Sequence, residues 1–190
     1  MESIEKIKKD LKENLSEYRY EHSLRVAEEA SKLAKIYQVD GNVAYLVGLV
    51  HDIAKEFTEQ ENKKVLEESG IDIKNIDLSN NRIAHADIGA IVAHERYGFT
   101  EEMCHAIKCH TIGDEKMNML DKIIFIADKI EPGKDYPGIQ EERYLAYKDI
   151  DQALILCIEN NHKKLIANGK KINPRSVEIL KSLSLRIEQK

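Results

Sequence analysis

Apolar residues recur with a period near 3.6 along almost the whole chain, and strand-like alternation is nearly absent. A chain patterned this way must build its core from helices packed on helices. Ile4, Ile7, Leu11 and Leu15 form a narrow stripe on a charged helix over 2–15, and Leu24, Ala27, Ala30, Leu33, Ala34 and Tyr37 share one face over 20–38. Two stretches, 41–54 and 117–130 (with Ile123-Ile124-Phe125-Ile126-Ala127), are apolar nearly all round. Helices of that kind belong in the centre of a bundle, not on its surface.

Turn and capping residues divide the rest. Thr58-Glu59-Gln60-Glu61 reads as a capping box opening a short helix that ends near Ser69-Gly70. Residues 71–84 are the least periodic part of the chain and read as turns and short helical pieces. A tightly packed helix over 86–97, marked by Gly89, Ala90 and Ala93, stops at Gly98, and Thr100 caps another through about Cys109. Glu131-Pro132-Gly133 and Tyr136-Pro137-Gly138 break the chain, helices follow at about 140–147 and 149–167, and Asn173-Pro174 launches the last helix. Without repeat, low-complexity tract or linker, the 190 residues read as a single all-α domain, a helical bundle over 1–190.

Net charge is −5 with no strongly basic segment, so no nucleic-acid partner is expected. Charged residues stand at the N-terminus where a signal peptide would be apolar, and no membrane-spanning apolar run occurs. Three cysteines form no disulfide framework. The expected location is cytoplasmic. The N-terminal helix stripe offers a face for a possible homodimer contact.

Several polar residues stand where packing alone would not put them. The apolar run at 46–50 ends in His51-Asp52, with Lys55 one turn beyond the His. On a continuing helix both His51 and Asp52 can reach one ion beside it, and Lys55 can hold a phosphate beyond the ion. Asp128 follows five apolar residues on a helix that must be buried, which is costly unless a cation meets it. Metal ligation and ion pairing with Lys129 or Lys122 both answer that cost. His22, one turn before Arg25, completes a two-His, two-Asp set whose nitrogen–oxygen ligation suits iron, manganese or another divalent transition ion. Arg25 can reach a substrate phosphate or pair with Glu21 or Glu29. His85 and His110-Thr111, at helix or loop boundaries, can bind a second ion or donate to phosphate as imidazolium. His94 and His162 read as exposed. His105 and Cys109 are one turn apart, but no second Cys/His pair completes a structural zinc site.

The order His22 … His51-Asp52 … Asp128 on an all-α chain resembles the HD superfamily of metal-dependent phosphohydrolases. More narrowly, Glu21-His22-Ser23-Leu24-Arg25-Val26, His51-Asp52-Ile53-Ala54-Lys55, His85-Ala86-Asp87-Ile88-Gly89-Ala90, Ala106-Ile107-Lys108-Cys109-His110-Thr111 and Ile126-Ala127-Asp128-Lys129-Ile130-Glu131-Pro132-Gly133 are similar to its YqeK-type branch, over about residues 15–180. The resemblance implies an HD-type helical domain with iron in the site and symmetrical cleavage of diadenosine tetraphosphate to two ADP. It implies that His22, His51, Asp52 and Asp128 ligate one or two ions, that Asp52, Lys55, His85 and His110 take part in catalysis, and that His85, His110, Thr111 and Lys55 line the phosphate site. Lys134 stands where the family has Arg, and Ile112 replaces a second Thr. Lys171, Ile172 and Arg175, in Lys171-Ile172-Asn173-Pro174-Arg175-Ser176, match a nucleotide-contacting loop.

A bound transition ion that activates water, with Arg25, Lys55, Lys134 and protonated His85 or His110 on the remaining phosphates, would hydrolyse an internal phosphoanhydride. Two alternatives stand beside this. One is another HD nucleotide phosphohydrolase, acting on guanosine tetraphosphate or a nucleotide; a cyclic-dinucleotide phosphodiesterase is disfavoured because no Gly-Tyr-Pro tripeptide occurs. The other is a non-catalytic nucleotide-binding domain.

Overall fold

The computed structural model describes residues 2–71, 76, 78 and 80–188, and among these it contains ten helices and no strand. They are α1 (Ile4–Asn14), α2 (Glu17–Ile36), α3 (Gly41–Val50), α4 (Glu59–Ser69), α5 (Asn81–Tyr97), α6 (Glu101–Cys109), α7 (Met119–Ile130), α8 (Ile139–Ala146), α9 (Ile150–Ala167) and α10 (Pro174–Glu188). The starts are set by polar side chains that accept otherwise unpaired amide hydrogens: Ser3, Ser16, Asp40, Thr58, Thr100, Asn118 and Asp149. The Thr58–Glu61 capping box forms as expected, and Asn118 with Asp121 makes a second one at the head of α7. Most of the weakly periodic 71–84 segment lies outside the described residues. No helix among the described residues is long and apolar enough to cross a membrane.

The two all-round apolar helices are central, as their composition demands. In α7, Ile123, Ile124, Phe125, Ile126 and Ala127 are all buried, and the helix packs against α2, α3, α6, α8 and α9. Helix α3 lies against α2 with backbone nearly touching backbone: a Cβ at Gly48 would come 2.9 Å from Ala27 Cα and 3.1 Å from Ala27 N. Glycine facing alanine is what lets these two helices approach so closely.

Three expectations need correction. Helix α3 does not run on to residue 54; it ends at Val50, and i→i+3 turns follow, with Ile53 N donating to Val50 O and Lys55 N to Asp52 O, both at 2.9 Å. The His51-Asp52 pair therefore sits on a tightened helix end, which directs the two side chains into the core. Helix α5 starts at Asn81, so His85 lies inside the helix and not ahead of it. The stripe on α1 is spent on the chain's own core, Ile7 and Leu11 being fully buried there, so it is not free to pair with a second copy.

Gly48→Ala is expected to destabilise the fold by about 1–3 kcal/mol, because the added methyl meets backbone and not a yielding side chain. Urea unfolding followed by circular dichroism measures this; an unchanged midpoint would show that α3 can move off α2 at no cost.

Candidate metal centre

His22 projects from the middle of α2, His51 caps the end of α3, Asp52 follows it, and Asp128 comes from the last turns of α7. These segments bring the four side chains together. Asp128 Oδ1 lies 3.1 Å from His22 Nε2 and 3.7 Å from His51 Nε2. Asp52 Oδ2 lies 3.5 Å from His51 Nε2 and 3.8 Å from His22 Nε2. On the other side of Asp52, its Oδ1 is 3.1 Å from His85 Nε2 and 3.4 Å from His110 Nε2. Asp52 thus stands between two pairs of imidazoles, and all five groups are buried with Asp128 nearly so.

The orientation of the rings follows from what their other nitrogens meet. His51 Nδ1 faces Gly48 O at 2.7 Å, His110 Nδ1 faces Ile107 O at 2.6 Å, and His85 Nδ1 faces Asn81 O at 3.0 Å. His22 Nδ1 meets Glu131 Oε1 at 3.1 Å. Carbonyl and carboxylate oxygens only accept, so each Nδ1 carries a proton, and in the neutral imidazole each Nε2 turns a lone pair inward. Lone pairs then face carboxylate oxygens, and His85 Nε2 faces His110 Nε2 at 3.1 Å. Such acceptor-to-acceptor contacts repel unless a cation lies between them. In keeping with this, His22 Nε2, His51 Nε2 and Asp52 Oδ1 are buried without a hydrogen-bond partner. The donor set, oxygen and imidazole without sulfur, fits a divalent transition ion. Two overlapping groups have ligand spacing: His22, His51 and Asp128, and His51, Asp52 and His110.

Electrostatics follow from burial and from fixed cations. Burial opposes ionisation of Asp52, yet its carboxyl is held well below the usual range, an effect His51, His110 and His85 exert only through an imidazole proton that faces it; the Arg19 guanidinium on Oδ2 is the fixed cation at this group. Asp128 is held low in the same way, its main helper being Lys129, whose Nζ donates to Asp128 Oδ2 at 2.5 Å. Burial pushes His110 down to about 4. That direction favours the neutral imidazole, the form in which His110 binds an ion, over the imidazolium that would donate to phosphate. Asp128 answers both readings of its burial at once: one oxygen takes Lys129 and the other faces the imidazoles, while Lys122 pairs with Asp151 at 2.6 Å.

A cleft of about 570 Å³ opens onto this centre, lined by Lys55, His110, Thr111, Asp128, Lys129 and, from the loop before α10, Lys170, Lys171 and Ile172. Lys55 Nζ reaches His85 Nε2 at 3.0 Å. The other expected phosphate contacts are elsewhere. Arg25 donates from Nε to Glu131 Oε2 at 2.6 Å, a partner that neither sequence reading considered. Lys134 is absent from the cleft lining and acts on the His22 flank by charge. Arg175 is salt-bridged to Asp114 and lines a separate cleft beyond Thr111 and Ile112. His162 is buried, bonded to Ser176 Oγ at 2.8 Å, and joins α9 to α10 rather than facing solvent.

Two residues of the centre escaped the sequence reading. Glu131, buried and ionised with its carboxyl lowered to about 2, resists the cost of burial because His22, Arg25 and the Gly133 amide all bond it. Its signal was a carboxylate next to a Pro-Gly turn directly after the Asp128 helix. Arg19, three residues before His22 on the same face of α2, donates from Nη1 to Asp52 Oδ2 at 2.5 Å. Gly133 matters here too, since a Cβ there would come 2.6 Å from Arg25 Nε.

Comparison with known proteins gives one consistent result. The HD domain family matches residues 19–133. A symmetrical bis(5'-nucleosyl)-tetraphosphatase from Halalkalibacterium halodurans is 34% identical over 181 residues, 95% of each chain. One of the same name from Staphylococcus aureus is 42% identical, covering 76% of this chain and 75% of its own. The solved structure of a predicted HD superfamily hydrolase from Clostridium acetobutylicum, described as involved in NAD metabolism, superposes with a TM-score of 0.90 at 36% identity, over 98% of this chain and 99% of its own.

Because Glu131 fixes the proton on His22 Nδ1, Glu131→Gln is expected to lower divalent-metal affinity about 10–100-fold with helicity retained. Manganese titration against a competing chelator reads this out, and unchanged affinity would remove Glu131 from the support of His22.

Proposed function

The chain belongs to the HD domain family, and from that premise we propose that it hydrolyses diadenosine tetraphosphate symmetrically to two ADP. The observation that carries the reading is the convergence of inward-facing Nε2 lone pairs on two buried carboxylates at the floor of a lysine-lined cleft. Curated relatives bearing the tetraphosphatase name over most of their length support the substrate class.

In this reading His22, His51, Asp52 and Asp128 hold a divalent transition ion, which their nitrogen and oxygen donors suit, and iron is the one the resemblance to the YqeK-type branch implies. Such an ion lowers the pKa of water and draws charge from the attacked phosphoryl group. The remaining work falls to the chain's own side chains. Asp52, whose Oδ1 also faces His85 and His110, supports a second ion there or holds the attacking water. Lys55, Lys129, Lys170 and Lys171 present positive charge along the cleft and neutralise a polyphosphate bridge. Thr111 adds a hydroxyl, and Ile172 borders the same cleft where a nucleoside would pack. Glu131 and Arg19 orient His22 and Asp52. Arg25 and Arg175 are engaged by Glu131 and Asp114, and Lys134 lies outside the cleft lining, so these three are assigned steering of the anionic substrate. Three cysteines kept as free thiols suit a cytoplasmic setting.

Two measurements test the reading. Iron-loaded protein given diadenosine tetraphosphate should release ADP alone by ion-exchange chromatography; ATP plus AMP, or no turnover beside activity on another nucleotide, would overturn the symmetrical assignment. Asp128→Asn should lose metal loading by elemental analysis with circular dichroism unchanged, and Lys55→Met should load metal but lose about 10²–10³ in kcat. Full metal occupancy in Asp128→Asn would take Asp128 out of the ligand set.

A further inference from the structure

His105, Cys109 and Asp121 meet where the end of α6 passes the first turn of α7, and none of them belongs to the centre around Asp52. His105 and Cys109 lie one turn apart on α6, so both face the same neighbour. Asp121 reaches them from α7, where it also closes the capping box by accepting the Asn118 amide at 2.8 Å. The sequence offered only the His–Cys pair; the fold supplies the third group. His105 Nδ1 lies 2.9 Å from Asp121 Oδ2 and 3.5 Å from Cys109 Sγ, and the three have the ligand spacing of a metal site. Asp121 is fully buried, and its Oδ1 has no hydrogen-bond partner. A buried carboxylate with only Oδ2 engaged and Oδ1 shut away from water and donors is under-compensated, and a cation bound to the group relieves its charge.

We propose that His105, Cys109 and Asp121 form a second divalent-cation site, suited to an ion of the zinc class, that ties the end of α6 to the start of α7. One sulfur, one imidazole nitrogen and one carboxylate oxygen are ligands for a borderline-soft ion, and three protein ligands leave a fourth position for water. Zinc–sulfur and zinc–nitrogen bonds of about 2.3 and 2.0 Å at a tetrahedral angle require a sulfur–nitrogen spacing of about 3.5 Å. That is the spacing present between Cys109 Sγ and His105 Nδ1. The nitrogen–oxygen pair has only to open from 2.9 Å to about 3.3 Å. His105 is 42% exposed and borders a cleft of about 240 Å³ that Cys109 also lines, which gives an ion its way in. Binding releases the Cys109 thiol proton to solvent and moves the His105 proton from Nδ1 to Nε2.

The same trio invites comparison with a cysteine-nucleophile triad, and the geometry tells against it. Cys109 Sγ is 3.8 Å from Nε2 and 3.5 Å from Nδ1, so it lies beside the ring and not in line with one nitrogen. Burial also holds the thiol far above its ordinary range, so nothing activates it as a nucleophile.

The site does not rest on the phosphohydrolase reading, and cobalt spectroscopy separates the two, because the ligands around Asp52 include no sulfur. Titrating cobalt(II) into the full chain with its principal centre already loaded should produce a thiolate-to-cobalt charge-transfer band that saturates at one equivalent and is displaced by zinc. Cys109→Ser should abolish the band. His105→Ala, a change at a part-exposed side chain with little risk to folding, should weaken cobalt binding at least tenfold. Zinc should raise the Tm of the wild type and leave that of Cys109→Ser unmoved. No band in the folded wild type, a band that survives in Cys109→Ser, or unchanged affinity in His105→Ala would each overturn the site.

Discussion

The central constraint on this molecule is that four imidazoles are held by their Nδ1 protons, so that their Nε2 lone pairs all face inward. Three of the anchors are backbone carbonyls of the residue three or four positions earlier: Gly48 for His51, Asn81 for His85 and Ile107 for His110. The fourth is the Glu131 carboxylate behind His22. A helix end supplies such an acceptor at no extra cost, because its last carbonyls lack intrahelical partners. His51 and His110 both sit immediately after the last residue of a helix. Helix termini thus align two of the four rings, a helix-interior carbonyl and a carboxylate align the others, and the orientation is settled before any ligand arrives.

With the lone pairs pointed inward, negative charge has to be compensated from outside the ring of imidazoles. Arg19 meets one oxygen of Asp52, and Lys129 meets one oxygen of Asp128. In each case the other oxygen is left facing histidines. The cations meet the carboxylates from outside without occupying the space between the imidazoles, which is where a metal ion would lie. Glu131 is buried on the same principle, shared among His22, Arg25 and the Gly133 amide. The tight passage of Gly133 over the Arg25 guanidinium thus bears on the centre through Glu131, which both residues bond.

The helical frame converts these local orientations into one site. His22 and His51 can share a neighbour because α2 and α3 approach to backbone contact at Ala27 and Gly48, and Gly48 also provides the carbonyl that holds His51. One glycine therefore governs both the separation of the helices and the direction of a ring. Helix α7 runs against both and delivers Asp128. The lysines of the loop before α10 close the cleft from the far end of the chain, while Arg175, a few residues on, is committed to Asp114 on the other side of Thr111 and Ile112. At the head of α7, Asp121 faces an imidazole and a thiol, a softer donor set than the one around Asp52.

The sequence by itself determined the helical class, the central position of α3 and α7, the capped starts at Thr58 and Thr100, and the His22, His51-Asp52 and Asp128 candidates. Those are local properties: period, caps, and polar residues set in apolar surroundings. It did not determine where helices tighten or how far back they begin, so the i→i+3 turns after Val50 and the start of α5 at Asn81 were out of reach. Nor did it show which charge meets which. Arg19 with Asp52, Arg25 with Glu131, Arg175 with Asp114 and Asp121 with His105 join residues 16 to 106 positions apart. Only packing decides such pairings, because a long charged side chain can reach several partners and takes the one that burial makes strongest.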